Sequence, residues 1–235
     1  MIRLIIIILF LTTSFASSFN TELGRCNLEI YDGRIDGIPD IVNLVINESE
    51  NLIFKLGNVK PAPFSIYITS DMDEFYQKSQ GPMVEWGIAV AKRNPDRVII
   101  KALGISNISY SKLKQVLIHE LNHIYMFRIP NYSSIPSWFK EGLAMLFANE
   151  FTLSYKIKIS QAFWSNKIIP LSQLKSFSRL SNNQASLAYG ESAAAIEALK
   201  YYYGEKIPEK ILKGMQNGKN FIESFESAVN ENYID

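Results

Sequence analysis

The two histidines of this 235-residue chain stand four positions apart with a glutamate directly after the first, His119-Glu120-Leu121-Asn122-His123. On an α-helix, residues i and i+4 lie one above the other on one face, so both imidazoles of an H-E-x-x-H segment can converge on one metal ion. Zinc is the natural occupant, and a catalytic zinc takes three protein ligands and keeps a fourth position for water. No third histidine exists. The position six beyond His123, where one class of H-E-x-x-H sequences carries it, is Ile129. The missing ligand is therefore a carboxylate, with the distant Cys26 as the remaining alternative.

A helical segment downstream offers that carboxylate. Its apolar stripe is Trp138, Gly142, Met145 and Leu146, and Glu141 falls on the stripe rather than on the solvent face. A charge there is costly unless it is paired or bound to metal. The proline-bounded connection over residues 130–136 lets this segment fold back on the first, bringing Glu141 towards His123. The expected ligands of one Zn2+ are thus His119, His123 and Glu141, with water completing the tetrahedron. Glu120 points about 100° around the helix from His119, off the histidine face but close enough to touch that water. Zinc lowers the pKa of a bound water to about 7, so Glu120 can act as general base and later return the proton to the leaving amine.

The pentapeptide followed by Trp138-Phe139-Lys140-Glu141-Gly142-Leu143-Ala144 resembles the H-E-x-x-H and W-x-x-E-G-L-A motifs of gluzincin-type zinc metallopeptidases, particularly the peptidase MA-like domain. The likeness is specific over residues 111–150 and extends as an order of elements over about 40–230. It implies a thermolysin-like catalytic fold with a mixed sheet beside the active-site helix. It also implies a peptide laid along an edge strand within residues 86–102 by β-addition. The family often places a tyrosine on a later helix to steady the oxyanion, and Tyr189 in Leu187-Ala188-Tyr189-Gly190-Glu191-Ser192 resembles that segment. The other reading of Tyr189 is a packing tyrosine, one of 12 in the chain. Better-known gluzincins carry an acid four residues after the ligand glutamate to orient the site; Met145 stands there instead, so the sequence names no partner for either histidine.

The elements that must position these residues follow from periodicity and punctuation. A helix is predicted over 39–56, a strand over 64–68 and a short helix over 71–79. Residues 86–91 and 97–102 form a hairpin about the Asn94-Pro95 turn. The metal-motif helix starts at a Ser111 cap and runs to about Arg128, and Ser137 caps a second helix to about Asn149. An amphipathic segment over 155–164, an Ala-rich helix over 185–203 ending at Gly204, and one or two helices over 208–229 complete the chain. Residues 20–36 read as irregular. Strands gather in the first half and helices in the second, an α+β pattern in one domain over 39–235, preceded by an extension over 17–38.

Lys plus Arg total 24 against 23 Asp plus Glu, so no basic excess points to nucleic acid, and the 47% hydrophobic content supports a sizeable core. Met1-Ile2-Arg3, the apolar run over 4–11 and Ser14-Phe15-Ala16 read as a signal peptide over residues 1–16, cut after Ala16 or near Ser18. The run is too short to span a bilayer, so a secreted or periplasmic protein without stable membrane insertion is expected, a signal-anchored form being the alternative. Cys26 is the sole cysteine; it reads as inert structure, with an intermolecular disulfide as the other possibility. The function expected is zinc-dependent hydrolysis of a peptide or protein substrate. The rivals are a non-catalytic zinc-containing peptide-binding or scaffold domain, and a zinc hydrolase acting on a non-peptide amide.

Overall fold

Five strands form one mixed sheet among the residues described in a computed structural model of the chain, namely 15–31, 38–69, 72–79, 88–101, 109–175, 177 and 180–231. β1 (Phe15–Thr21) and β2 (Gly24–Ile30) make an antiparallel hairpin. β3 (Phe64–Thr69) runs parallel to both β2 and β5 (Arg97–Lys101), and β4 (Ala89–Lys92) closes the far edge antiparallel to β5, giving the order β1-β2-β3-β5-β4. The register aligns Cys26, Leu28 and Ile30 with Phe64, Ile66 and Ile68, and the last two with Val98 and Ile100. Strand side chains alternate between faces, so this alignment makes one continuous apolar layer. It shares its core with Ile41, Val45 and Leu52 of α1 (Ile38–Leu56) and with Leu113, Leu117, Leu121 and Ile124 of α3 (Tyr110–Phe127).

Beyond α2 (Met72–Ser79) and α3 the chain is helical: α4 (Ser137–Phe147), α5 (Leu153–Trp164), α6 (Asn182–Tyr203), α7 (Ile207–Gln216) and α8 (Phe221–Glu231). The α+β architecture is as expected. Ser181 and Gln184 form a capping box that starts α6 earlier than the Ala-rich run suggests, and Gly204 ends it at φ 88°.

Three local expectations are corrected. Residues 20–30 are not irregular: they belong to the β1–β2 hairpin, while 32–37 lie outside the described residues. The outward residues of β2 are Arg25, Asn27 and Glu29, so its alternation is apolar on one side only, and β1 owes its order to pairing with β2. The turn requires Gly24, at φ 125°, where an added Cβ would sit 2.2 Å from the Ala62 carbonyl oxygen. Ser109, not Ser111, caps α3, accepting the Lys112 amide at 3.2 Å. Pro136, not Ser137, is the cap position of α4, with no side-chain cap bond.

The expected signal peptide lies outside the described residues up to position 14, and Phe15 and Ala16 open β1. No described helix is long and apolar enough to cross a membrane. The Cys26 thiol is buried in β2, where burial pushes its pKa up to about 12, which fits the inert reading.

Two polar anchors hold α3 to the sheet side. The Tyr125 hydroxyl is bonded to the carbonyls of Leu56 and Gly57, at 2.7 and 2.9 Å, at the end of α1. Arg128 donates to the Ala62 carbonyl at 2.8 Å and pairs with Asp96 in the β4–β5 turn. On its other side α4 approaches α6 so closely that a Cβ on Gly142 would meet the Ser192 carbonyl oxygen at 2.4 Å. Gly142→Ala should therefore destabilise the fold by about 2 kcal/mol through overpacking, although alanine favours helices. Chemical denaturation reads this directly; an unchanged or higher midpoint would contradict the packing described.

Candidate metal centre

Helical geometry alone places His119 and His123 on one face of α3, with ring centroids 5.0 Å apart. Bringing Glu141 to them needs a defined start to α4. After the 3-10 turn over Tyr132–Ser134, the first amides of α4 are satisfied from a distant segment: Ser137 donates to the Lys175 carbonyl at 3.2 Å and Trp138 to that of Leu174 at 3.0 Å. Trp138 then wedges against Phe139 and Phe221, ring centroids 5.6 and 6.1 Å away. Glu141 follows one turn into the helix. Its Oε2 lies 3.3 Å from His119 Nε2 and 3.4 Å from His123 Nε2.

These three ligand atoms lie within 4.8 Å of one another, the one such group among the described residues. The donor set is two imidazole nitrogens and one carboxylate oxygen, all accessible to only 13–18% of their side chains. Tetrahedral zinc with bonds of about 2.0–2.1 Å needs ligand atoms about 3.3 Å apart, so the two Glu141 distances already match its edges. The residues fit the ion.

The electrostatics describe a site prepared for a cation. Burial opposes charge on His119, but hydrogen bonds to Glu141 and Glu150 outweigh it and raise its pKa to about 10. Burial would raise Glu141; the charge of His123 and the hydrogen bonds from both histidines instead hold it well below the usual carboxylate range. Glu120 differs. Burial pushes its pKa up, opposed by His123, His119 and a hydrogen bond from the Ala91 backbone. Its Oε2 is buried and has no hydrogen-bond partner among the described residues. An unsatisfied buried oxygen of this kind costs about 1–3 kcal/mol and is left open to a water or other ligand.

Sequence reasoning missed Glu150. Its Oε2 accepts from His119 Nδ1 at 2.8 Å and its Oε1 from Lys112 Nζ at 2.9 Å, while burial, which would raise its pKa, is overcome by these partners. With the Nδ1 proton directed to Glu150, Nε2 is the nitrogen presented to the metal position. Glu150 thus orients the ligand from beyond the helix end, where Met145 cannot. Its placement is local: Asn149 adopts φ 52°, its amide bonds Leu146 at 3.2 Å, and the Glu150 amide bonds Met145 at 2.8 Å, a Schellman closure of α4. Asn149 marks that closure in the sequence; where the next carboxylate reaches depends on how α4 lies on α3.

Tyr189 of α6 packs edge-on to Phe177 at 5.1 Å. Its hydroxyl pKa is raised well above the ordinary value, first by burial and then by the charges of Glu141, Glu120 and Glu150, which sets it on the metal-centre side of α6. The structure thus brings His119, Glu120, His123 and Glu141 together, with Tyr189 within their electrostatic reach.

Residues 50–232 match the Peptidase MA superfamily profile. The fold is similar to that of an M1 zinc metallopeptidase from Deinococcus radiodurans, with TM-score 0.54 and 12% identity, covering 93% of this chain and 48% of that one. It is likewise similar to a two-domain M1 zinc metallopeptidase mutant bound to L-tryptophan, with TM-score 0.53 and 11% identity, over 94% of this chain and 48% of that one. The chain therefore spans about half the length of these neighbours. No curated protein sequence matches it.

Two measurements probe the centre. Because His119 holds its extra proton up to pH 10 or so, zinc uptake at neutral pH should release about one proton from it, and affinity should rise with pH in that range. Calorimetry in buffers of different ionisation enthalpy counts that proton; zero release would contradict the pairing. Glu150→Gln should weaken zinc binding about 10–100-fold in a chelator competition, with the fold intact.

Proposed function

This chain belongs to the Peptidase MA superfamily, and from that premise we propose that it is a zinc-dependent metallopeptidase hydrolysing peptide bonds. The observation that carries the reading is the convergence of His119, His123 and Glu141 beside the buried, unpartnered oxygen of Glu120. A zinc ion held by those three residues would supply Lewis acidity, polarising the scissile carbonyl and acidifying a water beside it. Glu120 takes the proton of the attacking water and delivers it to the leaving amine; burial raises its pKa above that of a solvated glutamate, which makes it a stronger base. The Tyr189 hydroxyl, kept protonated first by burial and then by the surrounding carboxylates, donates to the oxyanion as the carbonyl becomes tetrahedral. Glu150 fixes the ring of His119 throughout.

A peptide rather than another amide is supported by β4. The Lys101 amide bonds the Ile88 carbonyl at 2.9 Å, and in the register Ala89↔Ile100 and Ala91↔Val98 the alternation of an antiparallel ladder turns the amides and carbonyls of Ala89 and Ala91 to the outer edge. The Ala91 amide meets Glu120 there, so the edge borders the catalytic carboxylate. An extended substrate adding to that edge would bring its backbone alongside the metal position. The reading of residues 1–16 as a leader would place that action outside the cytoplasm.

Glu120→Gln should keep stoichiometric zinc and lose about 10²–10⁴-fold in peptide hydrolysis. Tyr189→Phe should lower kcat by about 10²-fold or more with KM little changed. His119→Ala and Glu141→Ala should lose zinc itself. Metal analysis and a chelator-sensitive digest of a mixed peptide library read these out; a fully active Glu120→Gln protein would overturn the mechanism. A zinc-loaded parent that cleaves no peptide would favour a scaffold role.

A further inference from the structure

Helix α5 is turned inside out. At 100° per residue, Leu153, Ile157 and Trp164 fall within about 40° of one another, and they are 71%, 49% and 84% exposed. The one buried residue of the helix, Ala162, lies on the opposite side. The inner face is held by Tyr155 and Ile159, which pack on Gly190 of α6, 2.9 and 3.4 Å from where its Cβ would be. Leu153, Ile157 and Trp164 therefore form an apolar stripe that no described residue covers.

Charge says what covers it. Lys156 and Lys158 flank the stripe on its two sides, and Lys167 and Lys175 follow; all four are exposed. From residue 151 to 190 there is no Asp or Glu, in a chain that holds 23 acids against 24 bases overall. Lys156 reaches Glu197 of α6 only as an exposed pair at 3.4 Å, and Lys158 donates to Ser186. An outward apolar stripe with Trp, bordered by lysines and free of carboxylates, has the composition of a helix that lies in a membrane interface. Phe163, 66% exposed and edge-on to Trp164 at 5.6 Å, widens it.

We propose that α5 docks the protein on an anionic lipid bilayer, with Leu153, Ile157 and Trp164 in the acyl boundary and the lysines against the headgroups. The helix lies parallel to the surface and does not cross it. Glu150 lies three residues before the start of α5, so docking holds the metal centre near the lipid surface and gives it polypeptides presented there. The inference rests on the exposure and charge of α5 and stands whether or not the centre is catalytic.

The test is sedimentation of the purified chain with vesicles of phosphatidylcholine alone and of phosphatidylcholine with phosphatidylglycerol. Binding should favour the anionic vesicles about tenfold or more, weaken as salt rises, and shift Trp164 emission to the blue. Lys158→Gln and Lys167→Gln should each lower it about fivefold. Ile157→Ser with Trp164→Ser should lower it about tenfold or more, and because both positions are exposed the melting temperature should hold. Equal binding to the two vesicle types, or no effect of either set of substitutions, overturns the proposal. So does concentration-dependent self-association abolished by the Ile157 and Trp164 changes, which would make the stripe a contact between copies of the chain.

Discussion

Glu141 brings a carboxylate to within 3.4 Å of Nε2 of both histidines, and a charge so enclosed is tolerable only while its partners stay in place. Breaking such a pair by withdrawing one member costs about 3–5 kcal/mol. Helix α4 must therefore lie against α3 with little freedom, and much of the second half of the chain serves that requirement. The carbonyls of Leu174 and Lys175 receive its first amides, Trp138 locks into the Phe139 and Phe221 cluster, and Gly142 lets the Ser192 backbone of α6 come into contact. Each constraint comes from a different stretch of sequence.

The sheet serves the other side of the same centre. Its apolar layer fixes α3 through Leu113, Leu117, Leu121 and Ile124, and the Arg128–Asp96 pair ties the end of that helix to the β4–β5 turn. The edge strand consequently stands at a fixed distance from the histidine helix, close enough for the Ala91 amide to meet Glu120. A strand edge and a carboxylate so related are what the proposed hydrolysis of an extended chain would need.

Charge is arranged as tightly as packing. Around His119 the carboxylates of Glu141 and Glu150 occupy the two ring nitrogens, and Lys112 balances the outer one. The metal position thus has a negative surround that is neutralised at its periphery, which favours a dication without leaving an unpaired anion deeper in the fold. Glu120 remains outside this network, with one oxygen unpartnered among the described residues, and its pKa is raised where that of Glu141 is lowered although both carboxylates lie beside the same histidines.

The sequence by itself determined the face shared by His119 and His123, the place of Glu120 beside it, and the choice of Glu141 as the carboxylate that meets the histidines. The first two are fixed by the 3.6-residue period of a single helix, and the third was legible because a charge sat on an apolar stripe. The order of strands before helices was equally legible, since periodicity is a local property. Only the tertiary structure decided what meets across elements. It paired residues 15–21 with β2, capped α4 with carbonyls from positions 174 and 175, and set Glu150 on His119 where the expected position holds Met145. Those contacts depend on how separate segments pack, and a neighbour brought from 31 residues away leaves no spacing in the chain by which to read it.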